Sequence, residues 1–234
     1  MKLLGTGNTK TLKGQKMGYM TFILHLAPAH KSGYNVCPMA TPGCRAACLD
    51  TAGRGRFDKT QAARIRKTHL FFTRRAEFMR LLVKDIEAGI RKADREGFVP
   101  VFRLNGTSDI RWETVECWKD LQEFDNVMEA FPDVTFYDYT KIPNRRNVPE
   151  NYHLTFSRAD GNEAQVELAL SHEMNVAVVF NTGKNDALPE TWGCLPVFDG
   201  DDSDLRFLDP RGHVVGLRAK GDAKKDASGF VVIT

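Results

Sequence analysis

Residues 17–48 read MGYMTFILHLAPAHKSGYNVCPMATPGCRAAC, an apolar run followed by a loop that contains Cys37, Cys44 and Cys48. The apolar run at 17–26 is rich in residues that favour strands, and Pro28 lies in an exit that disfavours a helix. We therefore predict a strand over 17–26 that delivers three thiols to one loop at its carboxyl end.

The three clustered thiols favour a metal site over scattered structural cysteines, which usually pack in cores as small hydrophobes. A disulfide is disfavoured because the loop has an odd number of cysteines, three, and because we expect no export segment before it. Zinc would need a fourth ligand, for which His30 is a candidate. An iron–sulfur cluster accepts thiolates from irregular loops, so a [4Fe–4S] cluster held by Cys37, Cys44 and Cys48 is the favoured hypothesis. A purely structural role is the remaining alternative.

Length and composition limit the classes of protein. The chain has 234 residues, of which 42% are hydrophobic, and this predicts a single α/β domain over residues 1–234 with the cluster loop at 37–48. A net charge of +3 is too small to indicate nucleic-acid binding by itself. We find no apolar run of the ~18 residues that a bilayer requires. Free thiols favour a reducing compartment, so we expect a cytoplasmic protein without membrane contact.

Strand patterns alternate with helix patterns along the chain, which favours a parallel sheet. Helices are predicted over 60–96, with a break in that long stretch, and over 113–130 and 162–173. Strands are predicted over 17–26, 98–104, 134–139, 152–156, 175–180 and 213–217. Six such strands predict a partial, open TIM-type barrel of parallel strands with outer helices.

Polar residues follow these strands, and parallel barrels build their sites at the carboxyl ends of strands. We therefore expect the strand exits to face the same mouth as the cysteine loop. The candidates for contacts with a cofactor are Arg103, Asn105, Asp109, Lys141 and Ser157. The alternative for any single exit is an ordinary polar loop or helix cap.

Two segments carry a family resemblance: the cysteine loop with its continuation Thr51-Ala52-Gly53-Arg54-Gly55, and Arg103-Leu104-Asn105-Gly106-Thr107-Ser108-Asp109. Together with Phe136-Tyr137-Asp138-Tyr139-Thr140-Lys141, they resemble the bacteriophage gene product 88-like proteins over nearly the whole chain. The order of a cysteine loop, a strand ending in Asp and a strand ending in Thr-Lys is more distantly similar to phage radical-SAM-like iron–sulfur proteins. The resemblance implies a partial barrel, a [4Fe–4S] cluster held by three cysteines and, for a phage protein, the host cytoplasm.

Whether the protein is an enzyme stays open at this point. In the radical-SAM-like hypothesis, S-adenosylmethionine binds at the open iron, Asp109 and Ser157 contact its polar groups, and Lys141 or Arg103 contacts its carboxylate. An electron donor and a small-molecule or nucleic-acid substrate would be partners. The alternative is a non-catalytic cluster for electron transfer, redox sensing or structure, with Cys194, His30 or an exogenous group as the fourth ligand.

A third hypothesis is a zinc-stabilised nucleic-acid-binding module. The segment from Arg56 to Arg95 has an excess of Lys and Arg, and Phe71 and Phe72 lie among the cations. Such a face could contact phosphates and bases. The alternative, which we favour, is that the phenylalanines point into the core and the cations are solvated.

Overall fold

The structure is a computed structural model and describes residues 1–6, 9–145 and 147–234. The helices of the described residues are α1 (Thr9–Gln15), α2 (Pro42–Ala46), α3 (Asp58–Thr73), α4 (Arg75–Arg95), α5 (Val127–Ala130) and α6 (Glu163–Ser171). The strands are β1 (Leu4–Gly5), β2 (Tyr19–Leu24), β3 (Val99–Arg103), β4 (Cys117–Lys119), β5 (Gln122–Phe124), β6 (Thr135–Thr140), β7 (Tyr152–Ser157), β8 (Val176–Phe180), β9 (Thr191–Trp192), β10 (Leu195–Asp199) and β11 (Val214–Arg218).

The main sheet is open and mixed. Within the described residues it has nine strands in the order β1-β2-β3-β6-β7-β8-β11-β10-β9, and β4 pairs with β5 in a separate hairpin. The strands from β2 to β10 along this order are parallel, whereas β1 and β9 pair antiparallel with their neighbours. All six predicted strands are present, as β2, β3, β6, β7, β8 and β11.

The predicted partial, open TIM-type barrel of six parallel strands is wrong. A barrel of those six strands would have β2 and β11 as its end strands. Here the sheet continues past both, because β1 pairs with β2 on one side and β10 and β9 extend it beyond β11 on the other. The outer helices are also incomplete, since the connection between β6 and β7 has no helix in its described part.

The helix predicted over 113–130 is also wrong, because that segment forms the β4–β5 hairpin and the four-residue helix α5. The hairpin turns at Asp120 and Leu121, which both have positive φ angles of 50° and 65°. Two such residues in a row match a two-residue hairpin turn and cannot belong to a right-handed helix. The predicted break in the helix over 60–96 is confirmed at Arg74, between α3 and α4.

Both faces of the sheet are covered. On one face, Phe22, Phe102 and Phe136 pack in the core under α4, where Gly89 allows close approach of the helix to Phe102. On the opposite face, the segment between β10 and β11 crosses the sheet and packs Leu205 against Val101 and Tyr137. This coverage leaves the carboxyl ends of the parallel strands as the place where loops from several strands meet.

Candidate metal centre

The three cysteines lie in short elements that follow β2. Cys37 is in an extended loop, Cys44 is in α2, and Cys48 precedes a 3-10 turn at Leu49–Thr51. Thr41 caps α2 by accepting a hydrogen bond from the Cys44 N–H at 3.1 Å, and Pro42 occupies the first turn, where its missing N–H has no cost. All three thiols are half-buried and free.

Cys37 is tied to the loop that follows β3. Its Sγ accepts from the Ala29 N–H at 3.4 Å and donates to the Thr107 carbonyl at 3.8 Å. The backbone next to it is fixed as well, because the Asp109 N–H donates to the Val36 carbonyl at 2.8 Å. The exits of β2 and β3 are therefore joined at Cys37, as the sequence predicts for neighbouring parallel strands.

Cys44 is tied to the exit of β7 through Asp160. The Asp160 carboxylate accepts from the Gly43 N–H at 3.0 Å, from the Cys44 N–H at 3.2 Å and from the Thr41 hydroxyl. Burial alone would raise the pKa of Asp160, but these hydrogen bonds stabilise the carboxylate more strongly, and the net pKa shift is downward. A Cβ on Gly43 would lie 2.7 Å from Asp160 Cγ and would also collide with Ser228. Glycine is thus required for this close approach.

Cys48 is held by the residues that follow it. The fully buried Asp50 accepts hydrogen bonds from Gln61 at 2.7 Å and from Lys31 and Arg64. Burial raises the pKa of Asp50, but these cationic and amide donors outweigh it and the net shift is downward. Since Gln61 and Arg64 belong to α3, the ion-pair network fixes the turn after Cys48 to that helix.

Cys37 and Cys48 lie in an environment that disfavours bare thiolates. Burial raises the pKa of Cys37 to about 12, and the negative forms of Cys48, Asp109 and Cys44 add to the shift. Burial also raises the pKa of Cys48, with further contributions from Cys44 and Asp50. A bound cation would reverse the shifts, because a coordinating thiol loses its proton.

Polar side chains from β3, β6 and β7 meet beside Cys37. Asp109 accepts from the Thr140 hydroxyl and from the Lys141 N–H, both at 2.8 Å, and lies 3.5 Å from Arg145. Burial raises the pKa of Asp109, although these donors oppose the shift. The Lys141 ammonium donates to the Ser157 hydroxyl at 2.9 Å, and no carboxylate within the described residues forms an ion pair with it. Three of the predicted residues, Asp109, Lys141 and Ser157, are therefore brought together.

Arg103 and Asn105 lie in other surroundings. The Arg103 guanidinium forms a 2.6 Å ion pair with Asp204, from the segment that crosses the sheet, and lies over the Tyr139 ring. The Asn105 amide is occupied within its own loop, because it donates to the Ile110 carbonyl and accepts from Ser108 and Trp112. Both side chains thus have structural partners that the sequence did not reveal.

The two candidates for a fourth ligand differ in position. His30 is exposed in the cysteine loop. Cys194 is exposed in the turn between β9 and β10, at the amino end of β10, where it lines a cavity with Met174 and Trp192. Because the strands are parallel, this end of the sheet lies opposite the cysteine loop.

Several residues that organise the site were not predicted. Asp160 and Asp50 anchor Cys44 and Cys48, and the carboxyl-terminal segment around Phe230 packs against Ala47 and Ala159. Asp160 lies four residues after the strand predicted over 152–156, which was a usable signal, and so was the position of Asp50, two residues after Cys48. The contact of Phe230 joins residues far apart in the chain, and no local pattern indicates it.

The cysteines do not form a ready-made ligand set. Across the described residues, no three His, Cys, Asp or Glu side chains are placed so that they could already hold one metal ion. No helix in the same part of the chain has both the length and the apolar character needed to span a membrane. What the structure provides is a set of three free thiols, each fixed by separate contacts, at the carboxyl end of a parallel sheet.

Fold and site define the class: an α/β protein with an open, mostly parallel sheet and a three-cysteine loop at its carboxyl edge. The family described as Gene product 88 matches residues 2–233. The chain therefore belongs to the gene product 88 family, which confirms the family predicted from its motifs. Comparison with curated proteins and with solved structures found no match.

Proposed function

We propose that this protein is an iron–sulfur protein whose [4Fe–4S] cluster is held by Cys37, Cys44 and Cys48. The observation that carries the proposal is that each thiol has its own structural anchor. Cys37 is tied to the exit of β3, Cys44 to Asp160, and Cys48 to the turn fixed by Asp50. Three free thiols gathered in one loop are the donors that such clusters use.

The donor chemistry fits a cluster, although the ligand geometry is not preassembled. Burial raises the pKa of the Cys37 and Cys48 thiols, and both gain a strong partner when a cation replaces their protons. The loop would have to close around the cluster. The anchors at Asp160 and Thr107 limit how far it must move.

The more specific proposal is a radical-SAM-like activity. A cluster with one open iron supplies a single electron and a position for a non-protein ligand. Lys141 and Ser157 would hold the carboxylate of S-adenosylmethionine, because the Ser157 hydroxyl is the one hydrogen-bond partner of the Lys141 ammonium among the described residues. Asp109 would act indirectly: it holds the Lys141 backbone and Thr140, so it fixes where the ammonium lies.

The test of the cluster is an anaerobic absorption spectrum of the reconstituted protein and of single Cys→Ala variants. Variants of Cys37, Cys44 and Cys48 should lose the broad absorption of the cluster. Cys194→Ala is the matched control, since this exposed thiol lies at the other end of the sheet, and it should keep the spectrum. If Cys194→Ala loses the cluster while Cys44→Ala retains it, the ligand assignment fails.

The test of the activity uses the same samples with added S-adenosylmethionine. A change in the electron paramagnetic resonance spectrum of the reduced cluster that weakens in Lys141→Met would support a radical-SAM-like enzyme. A cluster indifferent to S-adenosylmethionine would favour the non-catalytic alternative. A colourless protein that contains zinc would favour the zinc-stabilised module instead.

A further inference from the structure

The surface beside Cys48 carries exposed cations from separate parts of the chain. We call it the cationic rim and define it by Lys31, Arg54, Arg56, Lys224 and Lys225, all of which are exposed. Lys31 reaches inward to Asp50. The side chains of the other four have no ion pair or hydrogen bond among the residues that the structure describes. The acidic residues nearby are Asp58, Asp222 and Asp226, and Asp226 already bonds Ser228 and the Val231 N–H.

Tertiary contacts bring these cations together. The 3-10 turn Leu49–Thr51 packs against the turn Gly53–Arg56 and against the turn Gly221–Lys225. The Asp222 N–H donates to the Thr51 hydroxyl at 3.4 Å. Lys31 and Arg56 also line one cavity, together with Asp50, Thr51, Gln61 and Asp222. The residues of the cationic rim are therefore held next to the turn directly after Cys48 by tertiary contacts.

Exposed apolar side chains lie within the same region. Leu49, next to Cys48, is 60% exposed, Phe57 is 57% exposed, and Met39, between Cys37 and Cys44, is 43% exposed. Apolar residues surrounded by charge are the usual anatomy of a protein interface. Of these three side chains, only Phe57 has a ring on which a base could stack, and the two nearest the cysteines, Leu49 and Met39, have none, so a protein is a better occupant than a nucleic acid.

We propose that the cationic rim docks an acidic redox protein that delivers single electrons to the cysteine loop. This inference rests on the proposed iron–sulfur function. Electron transfer needs the two centres to approach closely, and Cys48 is the ligand nearest in sequence to the exposed Leu49. Transient redox complexes use small interfaces, and opposite charges raise their association rate.

Helices α3 and α4, which the sequence suggested as a nucleic-acid-binding face, are a weaker candidate for a docking surface than the cationic rim. Arg64 is buried against Asp50, Arg74 pairs with Glu77, and Arg91 lies 4.0 Å from Glu87. Arg75 lies over the Phe71 ring, which is in the core. Much of the excess positive charge on α3 and α4 is thus used within the protein.

The experiment is stopped-flow reduction of the anaerobic holoprotein by a photoreduced acidic flavodoxin, with dithionite as the small-molecule reductant. The variant Arg54→Glu/Arg56→Glu should be reduced by flavodoxin about tenfold more slowly at low salt, because steering by opposite charges is lost. High salt should slow the wild type. The control Lys84→Glu/Arg95→Glu, on the exposed side of α4, makes the same change in net charge and should stay within about twofold of the wild type.

Iron content and dithionite reduction separate the two proposals. They should be unchanged in both double variants, and a wild type without iron would overturn the proposed function and this inference together. If the rim variant keeps its iron and flavodoxin reduces it as fast as the wild type, only the docking inference is overturned. The docking inference is also overturned if a single-stranded oligonucleotide binds the wild type and binds Arg54→Glu/Arg56→Glu more weakly, while the rate of reduction by flavodoxin is the same for both proteins.

Discussion

Asp160 connects the cysteine loop to the sheet. One carboxylate accepts hydrogen bonds from Thr41, Gly43 and Cys44, so it fixes the amino end of α2 to the exit of β7. Charged hydrogen bonds of this kind contribute more than neutral ones. Asp160 was visible in the sequence as a polar residue after a strand, but its partner loop could not be read from local pattern.

Asp160→Asn should lower the free energy of unfolding by about 1–2 kcal/mol at pH 7, since a charged acceptor is replaced by a neutral amide. The pKa of Asp160 is lower in the folded protein than in the unfolded chain. Its stabilising contribution is therefore fully present when the pH is above the pKa of the unfolded chain, and it is lost as the pH falls through the pKa of the folded protein. Urea denaturation should therefore show a difference between wild type and variant that is constant from pH 7 to about 5 and shrinks below about pH 4. A difference that grows in acid would contradict this role.

Gly43 permits the approach of the loop to Asp160 and Ser228. Gly43→Ala should cost about 1–3 kcal/mol, because the added methyl group overlaps both side chains. Thermal unfolding checks this result. Gly5→Ala is the control, since a Cβ there meets nothing within 4 Å. Equal losses of stability in the two variants would show that the close packing at Gly43 does not penalise a side chain there.

At the scale of elements, the hairpin β4–β5 shows where sequence patterns fail. The segment 113–130 has helix-like spacing of apolar residues, yet tertiary packing buries Cys117 on a strand and turns the chain at Asp120 and Leu121. The central strands were easier to predict, because β2, β3 and β8 are largely apolar runs and much of each is buried. The short edge strands β1 and β9 have two residues each and carry no pattern.

Leu121→Gly should stabilise the protein by about 1 kcal/mol, because a leucine with positive φ is strained and glycine is not. Leu121 is 96% exposed, so little packing is lost. Leu168→Gly in α6 is the matched control and should destabilise by about 1 kcal/mol, since glycine weakens a helix interior. Chemical denaturation of both variants checks the opposite signs, and two changes of the same sign would refute the strain at the turn.

At the scale of the molecule, the sequence predicts which strand ends converge but not how the sheet is bounded. Pairing of β1 with β2 and of β10 with β11 depends on chain segments with weak patterns, so the open edges could not be derived. The segment between β10 and β11 that crosses the sheet could not be predicted from the sequence either. Its Asp204 pairs with Arg103, which is why Arg103 belongs to the interior of the fold.

Arg103→Met should lower the free energy of unfolding by about 3 kcal/mol, because it leaves Asp204 buried without this cation. The double variant Arg103→Met/Asp204→Met should recover part of the loss. Denaturation of the two single variants and the double variant measures the coupling. Additive losses would show that the two side chains do not stabilise each other.

The central claim is that the three-cysteine loop holds an iron–sulfur cluster. The most direct measurement is the iron and acid-labile sulfide content per chain of protein purified without oxygen, together with its zinc content. We predict about four irons and four sulfides per chain in the wild type and in Cys194→Ala, and a loss of both in Cys44→Ala. Zinc without iron in the wild type, or iron that does not depend on Cys44, would contradict the claim.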